Sequence, residues 1–472
     1  MRVLHYSLGL PPYRTGGLTK YATDLMLKQK EEHNVSLLYP AEYSILGKKT
    51  RIKQESTYQG IKVFKMVNPL PVALLGGVGS PEKFMMHSKD NNFNLFLSNE
   101  RPDVIHFHTL MGLPPDFIEE AKRKGIKTIF TTHDYYGICP RVNLLNHKNE
   151  ICSDFNEGFS CVKCNFGRSY SIKQIVIMQS SAYRRFKENK LMKLIRKRKK
   201  ESTAKKNSEV SSGLSTNSNY SSNYSQLNDS SEKKRQGVLY AELRSFYKNM
   251  LHKIDTIHFN SVVSKEVYSQ HSISTGEVIN ITHGDIRDQR RIIPLDRAKV
   301  NLAFLGPMEN YKGFGLLVST LQSLAQRGVV NWHLHSHGDN KQFQEIYDSN
   351  FFSFHGKYEH SELKSIFSNI NLLIVPSLWK ETYGFIGLEA LSFGIPVLVT
   401  NNVGFKDQLI NGQNGFIVEV SELEKVLQSI LENPIVLTEM NERIVNSSFE
   451  ERLFHHHAVN INRLYQTQLT ER

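Results

Sequence analysis

Short apolar runs recur along the chain, separated by amphipathic stretches of helical length and by glycine- and proline-containing turns. Arg2 to Tyr6 reads as a first strand, followed by a glycine-containing loop and a helix from about Leu18. Further strands are predicted near Val35 to Leu38 and Ile61 to Met66. Val104 to His108 and Thr128 to Thr132 continue the series, separated by a helix over about Pro115 to Lys124. Strands alternating with helices predict a parallel sheet. The last two strands end in polar groups, and ligand sites of such sheets lie at the carboxyl ends of strands.

The pattern then lapses. Between Asn207 and Ser230 the chain is dominated by Ser and Asn, with too few apolar residues to offset the entropy of ordering, so a disordered insertion over about 201–235 is expected. Periodicity resumes with a helix near Val238 to His252 and strands at Thr256 to Phe259 and Glu277 to Ile281. A second α/β series begins at Val300 to Leu305. In it, Asn371 to Pro376 reads as a buried parallel strand and about Gly384 to Ser392 as the helix after it. Phe449 to Tyr465 reads as a closing amphipathic helix. The divisions expected are a first domain over 1–285, a linker over 286–298, a second domain over 299–448 and a C-terminal helix over 449–472.

A chain of 472 residues exceeds one ordinary core and suits two such halves. No run reaches the roughly 18 apolar residues that span a bilayer, and the N-terminus shows no leader pattern, so a cytoplasmic protein, peripheral at most, is expected. The net charge of +13 is largely local, since Ala182 to Lys206 holds twelve Lys/Arg against two Glu. No nucleic-acid-binding pattern surrounds this segment, so no nucleic-acid partner is expected. Met192, Leu194 and Ile195 interleave the basic residues, which suits an anionic membrane surface, with a solvated charge run as the alternative.

Several constellations bear chemistry. Glu381 and Glu389 bracket a turn at Gly384, with Glu381 in a strand-to-helix loop and Glu389 inside the helix. Amides around Gly384, Phe385 and Ile386 open that helix, where free donors and the dipole favour a phosphate. Gly16-Gly17 precedes a helix in the same way. Lys312, six residues past Gly306, offers a point charge to a diphosphate. His108 ends one strand with His106 two residues earlier on the same side, while His133 and Asp134 end the next. Cys139, Cys152, Cys161 and Cys164 cluster in sequence, leaving a structural Zn²⁺ site and free thiols as open alternatives. Consecutive helical positions diverge by about 100°, so His455-His456-His457 is read as surface packing.

The stretch from Pro376-Ser-Leu-Trp-Lys-Glu381 through Glu389 and Gly394-Ile-Pro396 to Asn411-Gly412-Gln-Asn-Gly415 closely resembles the donor-binding half of family 4 retaining glycosyltransferases. The resemblance implies the GT-B fold, two Rossmann-like doubly wound domains facing a central cleft. It implies Glu389 on ribose hydroxyls, Glu381 on the transferred sugar, and Lys312 with the Gly384–Ile386 amides on the diphosphate. By the same resemblance Gly16 and Gly17 border the donor diphosphate, His108 lies beside the transferred sugar, and His133 and Asp134 line the acceptor side. The His133-Asp-Tyr to Cys139-Pro-Arg141 pattern is similar to that of a related subset in which the cysteines shape the acceptor region. One departure stands out: similar enzymes carry an Arg directly after the first glycine, and here Pro307 follows Gly306.

The function implied is transfer of a sugar, with retention, from a nucleotide-diphosphate sugar to a glycan acceptor. That acceptor is expected to be a lipid-linked oligosaccharide in capsular, exopolysaccharide or lipopolysaccharide synthesis. No D-x-D motif stands where a metal-dependent enzyme would hold its cation, so no catalytic cofactor is expected. Pro307 and the Ser/Asn insertion motivate the rival reading, a catalytically silent module that partners another glycosyltransferase or binds glycan.

Overall fold

The computed structural model describes residues 1–44, 49–73, 77–88, 92–165, 171–180, 183, 230–338 and 350–466. Of the expected features, the 201–229 part of the insertion and, apart from Tyr183, the basic segment 182–206 lie outside them. The chain divides into two compact units. The first comprises Met1–Phe130, Asp134–Val142 and Ser153–Asp255, and the second Thr131–His133, Asn143–Cys152 and Thr256–Arg472.

The first unit holds β1 (Arg2–Tyr6), α1 (Gly17–Gln29), β2 (Asn34–Pro40), β3 (Arg51–Gln54), β4 (Lys62–Val67), α2 (Asn92–Glu100), β5 (Val104–Phe107), α3 (Pro115–Arg123) and β6 (Lys127–Thr131). After these come α4 (Phe159–Asn165), α5 (Ile172–Met178) and α6 (Ser230–His252). Strand order is β3-β4-β2-β1-β5-β6, parallel except for β3 at the edge. β1 is followed in space by β2 on one side and β5 on the other, so the direction of winding reverses there. The loops after β1 and β5, carrying Gly16-Gly17 and His108, both open at that switch point, where sheets of this type leave a crevice.

Helix α6 begins eight residues before the Val238 expected from apolar periodicity. Arg235 pairs with Glu232 one turn away, and such pairs support an exposed first segment that apolar spacing does not register. Tyr240 and Tyr247 anchor it by donating to the carbonyls of Val78 at 2.6 Å and Phe84 at 2.9 Å.

The second unit opens with β7 (Thr256–Phe259), α7 (Val262–Gln270) and β8 (Gly276–Val278), the outer two pairing in parallel. β8 ends three residues before the expected Ile281. A second sheet follows: β9 (Val300–Leu305), α8 (Phe314–Gln326), β10 (Trp332–His337), β11 (Phe352–Gly356), β12 (Leu372–Val375), α9 (Phe385–Ser392), β13 (Val397–Thr400) and β14 (Gly415–Val418). Helices α10 (Leu423–Glu432), α11 (Ile435–Asn446) and α12 (Phe454–Gln466) close the chain.

The second sheet is wholly parallel in the order β11-β10-β9-β12-β13-β14. Its central strands are apolar on both faces because helices cover both, and Leu302, Phe304, Leu321, Leu334, Leu372 and Leu398 are among the buried residues of the core. Here the winding reverses between β9 and β12. The loops that leave their carboxyl ends are those of Lys312 and Glu381.

Candidate functional site

Two loops of the second unit meet through backbone contacts. Leu378 N–H donates to the Tyr311 carbonyl at 2.9 Å, and the Pro376 carbonyl lies so close to Gly313 that a Cβ there would fall 1.8 Å from its oxygen. Gly313 also has φ +76° and caps α8, so it meets both a conformational and a steric demand that only glycine satisfies cheaply. The result is a short bridge between side chains distant in sequence: Lys312 Nζ donates to Glu381 Oε1 at 2.6 Å, and Ser377 Oγ donates to Glu381 Oε2 at 2.7 Å. The ammonium also lies 5.2 Å from the centre of the Trp379 ring.

Glu381 is further fixed through its backbone, its N–H on the Asn402 carbonyl at 2.8 Å and its carbonyl accepting from Gly404 N–H at 2.9 Å. Three residues on, Gly384 adopts φ +100° as the N-cap of α9, so the first amides of that helix open beside the Lys312–Glu381 pair. Gly384, Phe385 and Ile386 are half-buried, and a Cβ at Gly384 would sit 3.6 Å from the Glu381 carboxyl carbon.

Glu389 lies within α9. Its Oε1 is 3.2 Å from His283 Nε2 and 3.2 Å from His360 Nδ1. Burial alone would raise this carboxyl, but interaction with the two imidazoles outweighs burial and lowers its pKa to about 2. Sequence reasoning identified Glu389 but neither histidine as its partner.

In the first unit, Gly16 caps α1 with both Gly16 and Gly17 exposed. His108 is buried at 1% exposure, as are His5 and His106. His108 Nε2 and His5 Nδ1 are 3.0 Å apart, and His5 Nε2 is 2.9 Å from Gln29 Oε1. Because the Gln29 oxygen can only accept, His5 carries its hydrogen on Nε2 and accepts at Nδ1 from His108. Burial, opposed by the Gln29 bond, lowers His5 to about 3, so this imidazole is neutral. The relay thus fixes the His108 tautomer from beneath. His106 stacks on His108 at 4.3 Å and is buried in the core.

His133, in the second unit, accepts at its backbone carbonyl from Thr382 Oγ1 at 3.0 Å, which ties it to the residue beside Glu381. Burial and then the neighbouring His258 charge lower its pKa to about 3. Asp134 accepts from Tyr136 N–H at 2.8 Å; burial nevertheless raises its carboxyl to about 6, the range of a group able to exchange a proton near neutrality.

Among the described residues three groups bring candidate metal ligands within 4.8 Å: His5, His106 and His108; His283, His360 and Glu389; and Glu450, His455 and His456. None contains a cysteine. Cys139, Cys161 and Cys164 are buried and Cys152 is half-buried. His455 Nε2 and His456 Nε2 do both reach Glu450 Oε1, at 3.0 and 3.2 Å, whereas His457 turns inward and is buried. Two of three consecutive ring nitrogens thus converge on one oxygen, because long rotatable side chains overcome the angular divergence of their Cα positions.

Residues 285–450 match the model of the family described as glycosyl transferases group 1. An uncharacterized 41.2 kDa protein in the cps region of Klebsiella pneumoniae is 24% identical over 134 residues, which are 28% of this chain and 37% of that protein. The capsular polysaccharide biosynthesis glycosyltransferase CapM of Staphylococcus aureus is 26% identical over 106 residues, 22% of this chain and 25% of that one. The matched stretch therefore spans well under half the length of these relatives.

Among solved structures, sucrose-phosphate synthase from Thermosynechococcus elongatus superposes with a TM-score of 0.53 at 13% identity, covering 98% of both chains. Anabaena Alr3699/HepE, in complex with UDP and glucose, does so with a TM-score of 0.52 at 12% identity, covering 99% of both. Residues 285–450 are a glycosyl transferases group 1 domain, and the chain that carries them has the GT-B fold.

Proposed function

We propose that the protein is a retaining glycosyltransferase that moves a sugar from a nucleotide-diphosphate sugar to a lipid-linked glycan in bacterial surface-polysaccharide synthesis. The observation that carries this reading is the placement of Lys312, Glu381 and the N-terminus of α9 together at the switch point of the second sheet. In this reading 299–448 hold the donor and 1–285 the acceptor. Similarity to CapM of Staphylococcus aureus and to a protein of the Klebsiella cps region supports the polysaccharide setting.

Lys312 and Glu381 pair with each other. When the donor binds, the diphosphate takes over the ammonium, and the freed carboxylate accepts from hydroxyls of the transferred sugar. As the glycosidic bond breaks, negative charge grows on the departing phosphate, where Lys312 and the amides at Gly384–Ile386 stabilise it. Attack comes from the same face, and the departing phosphate accepts the acceptor's proton. Charge stabilisation then requires no metal ion, so activity is expected to survive chelation.

For the acceptor, the first unit offers a cavity of about 340 Å³ beside the β1–α1 loop, lined by Tyr13, Arg14, Tyr39, Tyr58 and Met178 among others. An aromatic and apolar lining with a guanidinium suits a glycan joined to lipid through an anionic linkage. The test is incubation with UDP-, GDP-, ADP- and TDP-sugars plus membrane lipid extract, with NMR of the lipid product. A new glycosidic bond with the donor's anomeric configuration supports the proposal. Inversion contradicts the retaining mechanism, and binding of nucleotide with no product from any donor favours the silent module that Pro307 suggests.

A further inference from the structure

We propose that His283 and His360 are positioning residues that hold the Glu389 carboxylate in one orientation, so that its second oxygen is presented to the ribose diol of the donor. This deepens, and rests on, the donor-site reading above.

Three separate segments converge on one oxygen: the turn after β8 carrying His283, the turn carrying His360, and α9 carrying Glu389. Both imidazole nitrogens lie 3.2 Å from Oε1. The tautomer of His283 follows from its other nitrogen. Nδ1 accepts from the Asp285 N–H at 3.3 Å, so the ring hydrogen is on Nε2, facing Glu389, although off the ideal hydrogen-bond axis. The same assignment disfavours a metal ion in this cluster, since a cation would need the Nε2 lone pair and would leave Nδ1–H against an N–H donor.

The His283 ring is itself held. It is 4% exposed and packs edge-on against Phe385 at 5.1 Å and His360 at 5.4 Å between ring centres. Because both imidazoles use Oε1, no protein group among the described residues hydrogen-bonds Oε2. A carboxylate fixed at one oxygen and unsatisfied at the other is preorganised to accept from a hydroxyl, with little side-chain entropy left to lose.

The consequence is discrimination at the ribose. The experiment is calorimetric binding of UDP, GDP, ADP and TDP, each beside its 2′,3′-dideoxy form, to the full chain, His360→Ala, His283→Ala and His283→Gln. A hydrogen bond to an ionised carboxylate predicts that the unmodified protein prefers the hydroxylated nucleotide by about tenfold or more. That preference falls to within about threefold in the two alanine variants and partly returns in His283→Gln, whose amide can still donate. His360 is 43% exposed, so its truncation is expected to leave the fold intact and decides the matter if His283→Ala does not fold.

Equal weakening of both nucleotides in the variants, with the preference intact, would mean a merely structural role and overturn this inference while leaving the donor site standing. No nucleotide bound by the unmodified protein would overturn both.

Discussion

In the proposed mechanism Lys312 and Glu381 form the pair on which the chemistry depends, and their roles separate by substitution. Lys312→Met removes the cation proposed to meet the leaving diphosphate, and its kcat is expected to fall by about 10²–10³, the scale of losing one preorganised electrostatic group. Glu381→Gln keeps the shape and the Ser377 contact but weakens acceptance from sugar hydroxyls, so kcat should fall with little change in nucleotide affinity. Steady-state kinetics with a fixed acceptor checks both, and an unchanged kcat in Lys312→Met would remove it from the mechanism. Lys312 was legible from its offset from Gly306 at the end of β9, and Glu381 from its place before the Gly384 turn in a stretch that resembles a known donor-binding motif. His283 and His360 were not, because their meeting with Glu389 depends on three loops closing in space. His108 shows the limit differently: its position at a strand end was readable, but its burial in the His5–Gln29 relay depends on a partner in another strand and another in a helix.

At the scale of elements, the contact between the 310–313 turn and the loop after β12 places the charged pair. Gly313→Ala is expected to destabilise by about 1–3 kcal/mol, because it adds a Cβ against the Pro376 carbonyl and strains φ +76°. It should also lower activity beyond what stability accounts for, by separating Lys312 from Glu381. Urea unfolding together with kcat at a temperature where the variant is folded checks this; full activity would show that the loop contact does not set the site. The strand and helix that flank the site, β12 and α9, were predictable because a buried parallel strand reads as an unbroken apolar run and Gly384 marks the helix start. Edge strand β3 escaped, since Arg51-Ile-Lys-Gln has the polar character of a sheet edge and no apolar run. The exposed start of α6 escaped for a related reason.

Across the whole molecule, buried histidines set the response to acid. His5 is lowered to about 3 and His258 to about 4, both chiefly by burial, and His457 is held well below its ordinary value for the same reason. Groups whose folded pKa lies below the unfolded value of about 6.5 stay neutral while the unfolded chain takes up protons, so stability is full above pH 6.5. Each fully buried histidine then removes up to about 1.4 kcal/mol per pH unit below it. Asp134, raised to about 6, acts in the opposite sense as pH falls below that value, but it is one group against these three and His133, which is also lowered to about 3. The urea midpoint is therefore expected to drop clearly between pH 7.5 and 5.5, and a flat or rising midpoint would contradict this burial. Among the described residues no helix is long and apolar enough to cross a membrane. If the twelve Lys/Arg in 182–206 instead meet an anionic surface, flotation with phosphatidylglycerol vesicles should be lost in 0.5 M salt, a level at which screening shortens to about 4 Å, and on neutralising those residues.

In the proposed function Lys312 and Glu381, gathered at the switch point of the second sheet, carry the turnover of a nucleotide sugar. This role is tested most directly by nucleoside diphosphate release from the donor panel with membrane lipid extract, comparing the unmodified protein with Glu381→Ala and Lys312→Met. Release from one donor that both variants reduce by about a hundredfold or more is the predicted result. Release that persists unchanged in both variants, or none from any donor while nucleotide still binds, would contradict it.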